Sequence, residues 1–147
     1  MVKFLTTGHG AVRFNPNLYQ DGKVCLSLLG TWQGPGWNPT ESTLEQVLVS
    51  IQSMILVKDP YFNEPGFEGT MHTAEGRQSS NAYNESVRRN TLRVAIFDQL
   101  QTPVPGFEAA IRQHFRLKQE EILIQAEQWG EKSFARDFIS ALKRIDQ

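Results

Sequence analysis

Apolar residues recur at helical spacing over most of this chain and at strand spacing only at its start. Val2, Phe4 and Thr6 alternate with Lys3, Leu5 and Thr7, which predicts one short strand over residues 2–7, ended by Gly8-His9-Gly10. The segment 12–37 carries Pro16, Gly22, Gly30, Gly34, Pro35 and Gly36 and reads as an ordered loop with short extended pieces. Leu44, Val47, Leu48, Ile51, Met54 and Ile55 then fall three and four apart, the core face of a helix that starts at a Ser42/Glu45 capping box and ends near Asp59-Pro60. Residues 66–79 are glycine-rich and polar and predict a weakly ordered connector.

A second helix is expected over residues 80–100, with Tyr83, Val87, Val94, Ile96, Phe97 and Leu100 as its apolar contacts, until Pro103 and Pro105 break it. The remainder reads as helix in three stripes: Phe107, Ile111 and Phe115; Ile122, Ala126 and Trp129; and Phe134, Phe138, Leu142 and Ile145. Gly130 marks a break between the last two.

With 147 residues, 39% of them hydrophobic, the chain suits one domain with a single core. A net charge of -1 offers no general attraction to nucleic acid or to an acidic membrane surface, so neither is expected as a partner. No stretch is long and apolar enough for a transmembrane helix, and the first residues lack a signal-peptide pattern. The single cysteine, Cys25, excludes an internal disulfide and a CxxC zinc site and is compatible with a reducing interior. A soluble protein of the cytoplasm or nucleus is the expectation. His9, His72 and His114 are far apart in sequence with no acidic cluster at ligand spacing, so no metal site is expected. Gly8-x-Gly10 is not a dinucleotide-binding turn, because Arg13 stands where glycine or alanine is needed and Asn15-Pro16 prevents a following helix.

A lone thiol is either a small buried hydrophobe or a nucleophile, and its neighbours decide which. Here Asn15-Pro16-Asn17 precedes an Asp21-Gly22 turn, Cys25 follows, and Leu26-Ser27-Leu28-Leu29-Gly30-Thr31-Trp32 completes the run. This stretch resembles the active-site segment of ubiquitin-conjugating enzymes, His-Pro-Asn followed by Asp/Asn-Gly and a thioester-forming cysteine. It is most similar to the very large members, the BRUCE/Apollon class and the ligase-fused hybrid class. Asn15 replaces the family histidine, and asparagine can likewise bond the neighbouring backbone and hold a turn.

The resemblance runs over residues 2–129, strongest between Phe14 and Gly66, with a C-terminal helical extension over residues 130–147. It implies an α+β fold of the ubiquitin-conjugating type. In the family, the strand matching residues 3–7 is the last of a four-stranded sheet preceded by a helix, and this chain begins at that strand. The chain is therefore expected to be an N-terminally truncated piece of the domain, mostly helical with one or a few short strands. The unpaired strand edges would be covered by another segment or by a second copy.

Carried over residue by residue, the resemblance makes Cys25 the thioester nucleophile and Asn17 an oxyanion donor or a stabiliser of the loop. Glu64 becomes the acid that orients the incoming lysine, and Tyr61 a lining of that approach. Ser27 stands where other members often carry Asp. Trp37-Asn38-Pro39 matches a Trp-Ser-Pro loop that contacts ligases in many members, which makes Trp37 and Pro39 candidate binding residues. The implied partners are ubiquitin, its activating enzyme and a ligase. ATP is consumed by the activating enzyme, so no cofactor is expected for this chain. Thiolate needs no strong general base, so the lack of a histidine beside Cys25 is compatible with acyl transfer and unfavourable to a cysteine hydrolase. The alternative is a catalytically inactive fragment that binds ubiquitin or acts as a scaffold.

Overall fold

The computed structural model describes residues 1–145, and for Ile145 the backbone only. The place of Ile145 in the last apolar stripe, and the final residues 146–147 of the C-terminal extension, lie outside what is described. The chain divides into two compact units, Met1–Val87 and a second from Arg88 onward.

In the first unit, residues 2–7 are extended but form no regular strand, which corrects the expectation. A single antiparallel bridge joins Lys3 to Lys23, supported by Phe4 N donating to Gly22 O at 2.8 Å. The alternation survives in burial through Thr6, with Val2, Phe4 and Thr6 half-buried and Lys3 and Leu5 exposed, and fails at Thr7, which is buried. Gly22 has φ +90°, and a Cβ there would lie 2.6 Å from Phe4 O, so this close approach of two segments requires glycine.

The capping box falls one residue later than expected. Thr43 Oγ1 accepts from Gln46 N and Gln46 Oε1 accepts from Thr43 N, because Ser42 is already engaged by Asn38, accepting from its N–H and donating to its carbonyl. Helix α1 covers Leu44–Ser50 and widens into a π-helical turn over Ile51–Ile55, closed by Leu56 N donating to Ile51 O. It ends there, four residues before Asp59, since Leu56 leaves helical geometry at φ -83°, ψ 59°. The predicted core stripe is only partly a core. Val47 and Ile55 are buried and Ile51 is half-buried, whereas Leu44, Leu48 and Met54 are 65%, 59% and 59% exposed.

The core of this unit is built largely from irregular chain: Val12, Phe14, Leu18, Val24, Cys25 and Leu26 are buried, as are Val47, Ile55 and Phe62. A 3-10 turn follows at Pro60–Asn63 and another at Glu68–Thr70. The expected weak connector over residues 66–79 is instead ordered by threonine hydroxyls. Thr70 Oγ1 donates to Phe67 O, Thr73 Oγ1 donates to Thr70 O, and Gly76 N donates back to Thr73 Oγ1. Helix α2, Ala74–Asn90, consequently starts six residues before the predicted position. Asp59 accepts from Ser80 Oγ and from Asn84 Nδ2, which fixes α2 against the chain leaving α1.

From Asn90 the helix continues as a π-helical turn, Thr91–Phe97, into α3, Asp98–Gln101, and stops before Pro103 and Pro105 as expected. Helices α4 (Glu108–Leu117), α5 (Gln119–Gln128) and α6 (Lys132–Ile145) follow, with the predicted break at Gly130, φ +79°. Leu100, Phe115, Phe138, Ala141 and Leu142 form the buried centre of this second unit. Phe138 stacks on Phe134 with ring centroids 5.4 Å apart and meets Phe115 edge-on at 6.3 Å. Phe107, expected in this core, precedes α4 and is 62% exposed.

Candidate active site

The presumed site lies on irregular backbone, and side-chain amides supply the bonds that a sheet would otherwise provide. Asn15, 1% exposed, uses both ends of its amide. Its Oδ1 accepts from Asn17 N at 2.7 Å, closing the Asn15-Pro16-Asn17 turn, and its Nδ2 donates to Ile55 O at 2.8 Å. The residue that departs from the family motif thus holds the turn, as anticipated, and in addition caps the end of the π-helical segment.

Asn17 exchanges bonds with the thiol-bearing residue. Cys25 N donates to Asn17 O at 2.9 Å, and Asn17 Nδ2 donates to Cys25 O at 3.0 Å. The Asn17 side chain thus has one of its two amide hydrogens committed to the Cys25 carbonyl. Downstream, Thr31 Oγ1 accepts from Leu26 N and donates to Val24 O, so the backbone on both sides of Cys25 is fixed. Cys25 itself is a free thiol, 3% exposed.

Glu64 caps the Pro60–Asn63 turn and lies 3.5 Å from Arg13 Nη2. Tyr61 is half-buried, stacked on Phe67 with centroids 4.8 Å apart and tilted against Tyr83 at 6.1 Å. Burial raises the Tyr83 phenol above its ordinary value, with Arg13 opposing that rise and Glu64 adding to it. The Pro60–Asn63 turn is tied to the end of the same helical segment as the cysteine loop, because Asn63 Nδ2 donates to Met54 O at 2.9 Å while Asn15 takes the next carbonyl.

Trp37 and Pro39 stand apart from this network, on the exposed stretch 31–40. Trp37 is 48% exposed and shares an apolar groove with Met1, Leu28, Leu29 and Leu44. Two contributors were not singled out as site residues from sequence, Arg13 and Asn63. The first precedes the motif directly, and the second shows only as an asparagine two residues after Tyr61. Among the described residues no group of three His, Cys, Asp or Glu side chains is placed to hold a metal ion, and no helix is long and apolar enough to cross a membrane.

A lone cysteine held in an asparagine-braced loop, ahead of a capped helix and an acid-bearing turn, is the arrangement expected of a conjugating-enzyme segment. The family model "Ubiquitin-conjugating enzyme" matches residues 1–91, and the chain belongs to that family. The human protein named Dual E2 ubiquitin-conjugating enzyme/E3 ubiquitin-protein ligase BIRC6 is 52% identical over 132 residues, 88% of this chain and 3% of its own length. "Probable ubiquitin-conjugating enzyme protein 17" of Caenorhabditis elegans is 57% identical over 129 residues, 86% of this chain and 18% of that protein. Human "Ubiquitin-conjugating enzyme E2 Z" is 50% identical over 104 residues, 71% of this chain and 28% of that protein. The chain thus spans less than a third of the length of each of these relatives.

Proposed function

We propose that this chain accepts ubiquitin as a thioester on Cys25 and passes it to a substrate lysine. The observation that carries the reading is the reciprocal pair of bonds between Asn17 and Cys25, which fixes the only thiol inside the loop that matches the family's active-site motif. In the first step the Cys25 thiolate attacks the ubiquitin C-terminal carbonyl on the activating enzyme. A new C–S bond forms, the old one breaks, and the activating enzyme's thiolate leaves. In the second step a lysine amine attacks the Cys25 thioester. A C–N bond forms, the amine loses a proton, and the Cys25 thiolate departs.

The second hydrogen of Asn17 Nδ2 is the donor for the oxyanion of either tetrahedral intermediate. Glu64 orients the lysine and Tyr61 borders its approach, while Trp37 and Pro39, on the exposed stretch, contact a ligase. The chain itself needs no cofactor, since ATP is spent by the activating enzyme. A reducing cytoplasm or nucleus, where a single thiol stays free, suits this chemistry.

One observation favours a second reading. Cys25 is 3% exposed, so acyl transfer requires its Sγ to be uncovered, whereas a non-catalytic ubiquitin-binding or scaffolding module would need no such movement. The test is thioester formation with activating enzyme, ubiquitin and ATP on a non-reducing gel, beside Cys25→Ala. A thiol-sensitive adduct absent from the variant is the expected result. A folded chain that forms no adduct would refute catalysis and leave the binding module.

A further inference from the structure

We infer that Arg13 is a positioning residue for the second half-reaction, its guanidinium coupling the Glu64 turn to the Asn15-Pro16-Asn17 turn that braces Cys25; this rests on the reading of Cys25 and Glu64 given above. One side chain touches three segments. Nη2 donates to Pro16 O, the guanidinium carbon lies 4.4 Å from the centroid of the Tyr19 ring, and the same Nη2 is 3.5 Å from Glu64 Oε2. Nε is buried without a hydrogen-bond partner among the described residues, and Nη2 is the atom shared between Pro16 O and the acid. Lys23 reaches the same Tyr19 ring, its Nζ 5.4 Å from the centroid. The backbone of Arg13 is held as well, its carbonyl accepting from Tyr83 Oη at 3.5 Å.

The Arg13 and Glu64 side chains are 36% and 40% exposed, and an ion pair this open to solvent adds little to stability. What it adds is orientation. The Glu64 backbone is held within its turn, its N–H donating to Tyr61 O, and among the described residues Arg13 is the group paired with the Glu64 carboxylate. The Asn15 and Asn63 amides dock on adjacent carbonyls, so the two turns meet at one helix end, and Arg13 closes that arrangement from the side-chain face. An acid set in this way holds the lysine amine at a fixed angle to the thioester, which matters for discharge and not for loading.

The experiment separates the two half-reactions in the wild type, Arg13→Ala, Arg13→Lys, Glu64→Gln and the Arg13→Ala/Glu64→Gln double variant. Loading should stay within about twofold, and discharge onto free lysine should fall about tenfold in Arg13→Ala and in Glu64→Gln. The double variant should be no slower than either single one, because both act through the same carboxylate. Arg13→Lys, which keeps the charge but loses the fork, should recover discharge only in part. Two full, multiplying losses, an equal loss in loading, or no loss of discharge would overturn the inference.

A wild type that does not load defeats the reading of Cys25, and a separate measurement then decides on Arg13. In amide NMR spectra, Glu64→Gln should shift the Asn17 and Cys25 resonances in the wild-type background and leave them unmoved in Arg13→Ala. Identical shifts in both backgrounds, or none in either, would refute the coupling.

Discussion

Asn15→Ala should be among the most damaging single changes in the first unit, although it removes a small polar side chain from a loop. The side chain is 1% exposed and both ends of its amide are used. Truncation strips Ile55 O of the Asn15 donor in a buried setting and Asn17 N of its acceptor in a partly buried one. Orphaning a buried backbone group costs about 1–3 kcal/mol, and a partly wetted one less, so the sum is about 2–4 kcal/mol. Against a typical domain stability of about 5–15 kcal/mol this is a large share. In urea, with a slope of about 1–3 kcal/mol/M, the midpoint should move down by on the order of 1–3 M. The measurement is urea unfolding by circular dichroism, with amide exchange at Asn17 as a local readout. Asn63→Ala is the matched control, since Asn63 Nδ2 also caps a helix-end carbonyl, Met54 O, but at an exposed site where water replaces it. That variant should lose about 0.5 kcal/mol. If Asn15→Ala loses under about 1 kcal/mol, or no more than the control, the argument that burial sets the value of this bond is wrong.

Gly76→Ala reverses the usual helix rule. Replacing a helical glycine by alanine commonly gains up to about 1 kcal/mol, but here the new Cβ would sit 2.0 Å from Thr70 O. A loss of about 1–3 kcal/mol in urea unfolding is expected, whereas Gly69→Ala, with open space around it, should stay within about 0.5 kcal/mol. Tyr83 gives a pH signature. Its phenol is raised above 10.0, so the folded state holds that proton more tightly than the unfolded chain does. The associated stability is fully present below the unfolded value and is lost as pH climbs through the folded one. Tyr83→Phe should therefore show a shallower loss of urea midpoint between about pH 8 and 11 than the wild type, and parallel curves would refute the assignment.

What the sequence disclosed depended on how local the cause was. The break at Gly130, the stop before Pro103 and the turn at Asn15 follow from residues acting on their own backbone, and all three appear where expected. The early start of α2 was hidden because three hydroxyl bonds from Thr70 and Thr73 turn a glycine-rich polar stretch into a helix entry, and composition does not register them. The α1 stripe was misjudged for a different reason. The π-helical turn at Ile51–Ile55 widens the register around Met54, whereas Leu44 and Leu48 are exposed within the regular α-helical part, because periodicity marks an apolar face and not what covers it. Membership of the family was legible through Cys25 and its motif. The Arg13 to Glu64 contact was not, because the partners are 51 positions apart and Arg13 alone reads as an ordinary surface charge.

A site without regular strands still has to satisfy its backbone, and that requirement explains why so many short amide and hydroxyl side chains surround Cys25. Buried irregular chain leaves N–H and C=O groups that must find partners. Here Asn15 serves Asn17 and Ile55, Asn17 serves Cys25, and Thr31 serves Val24 and Leu26. Each bond also holds the backbone that carries the thiol, so polar satisfaction and placement of Cys25 are one problem solved by the same atoms.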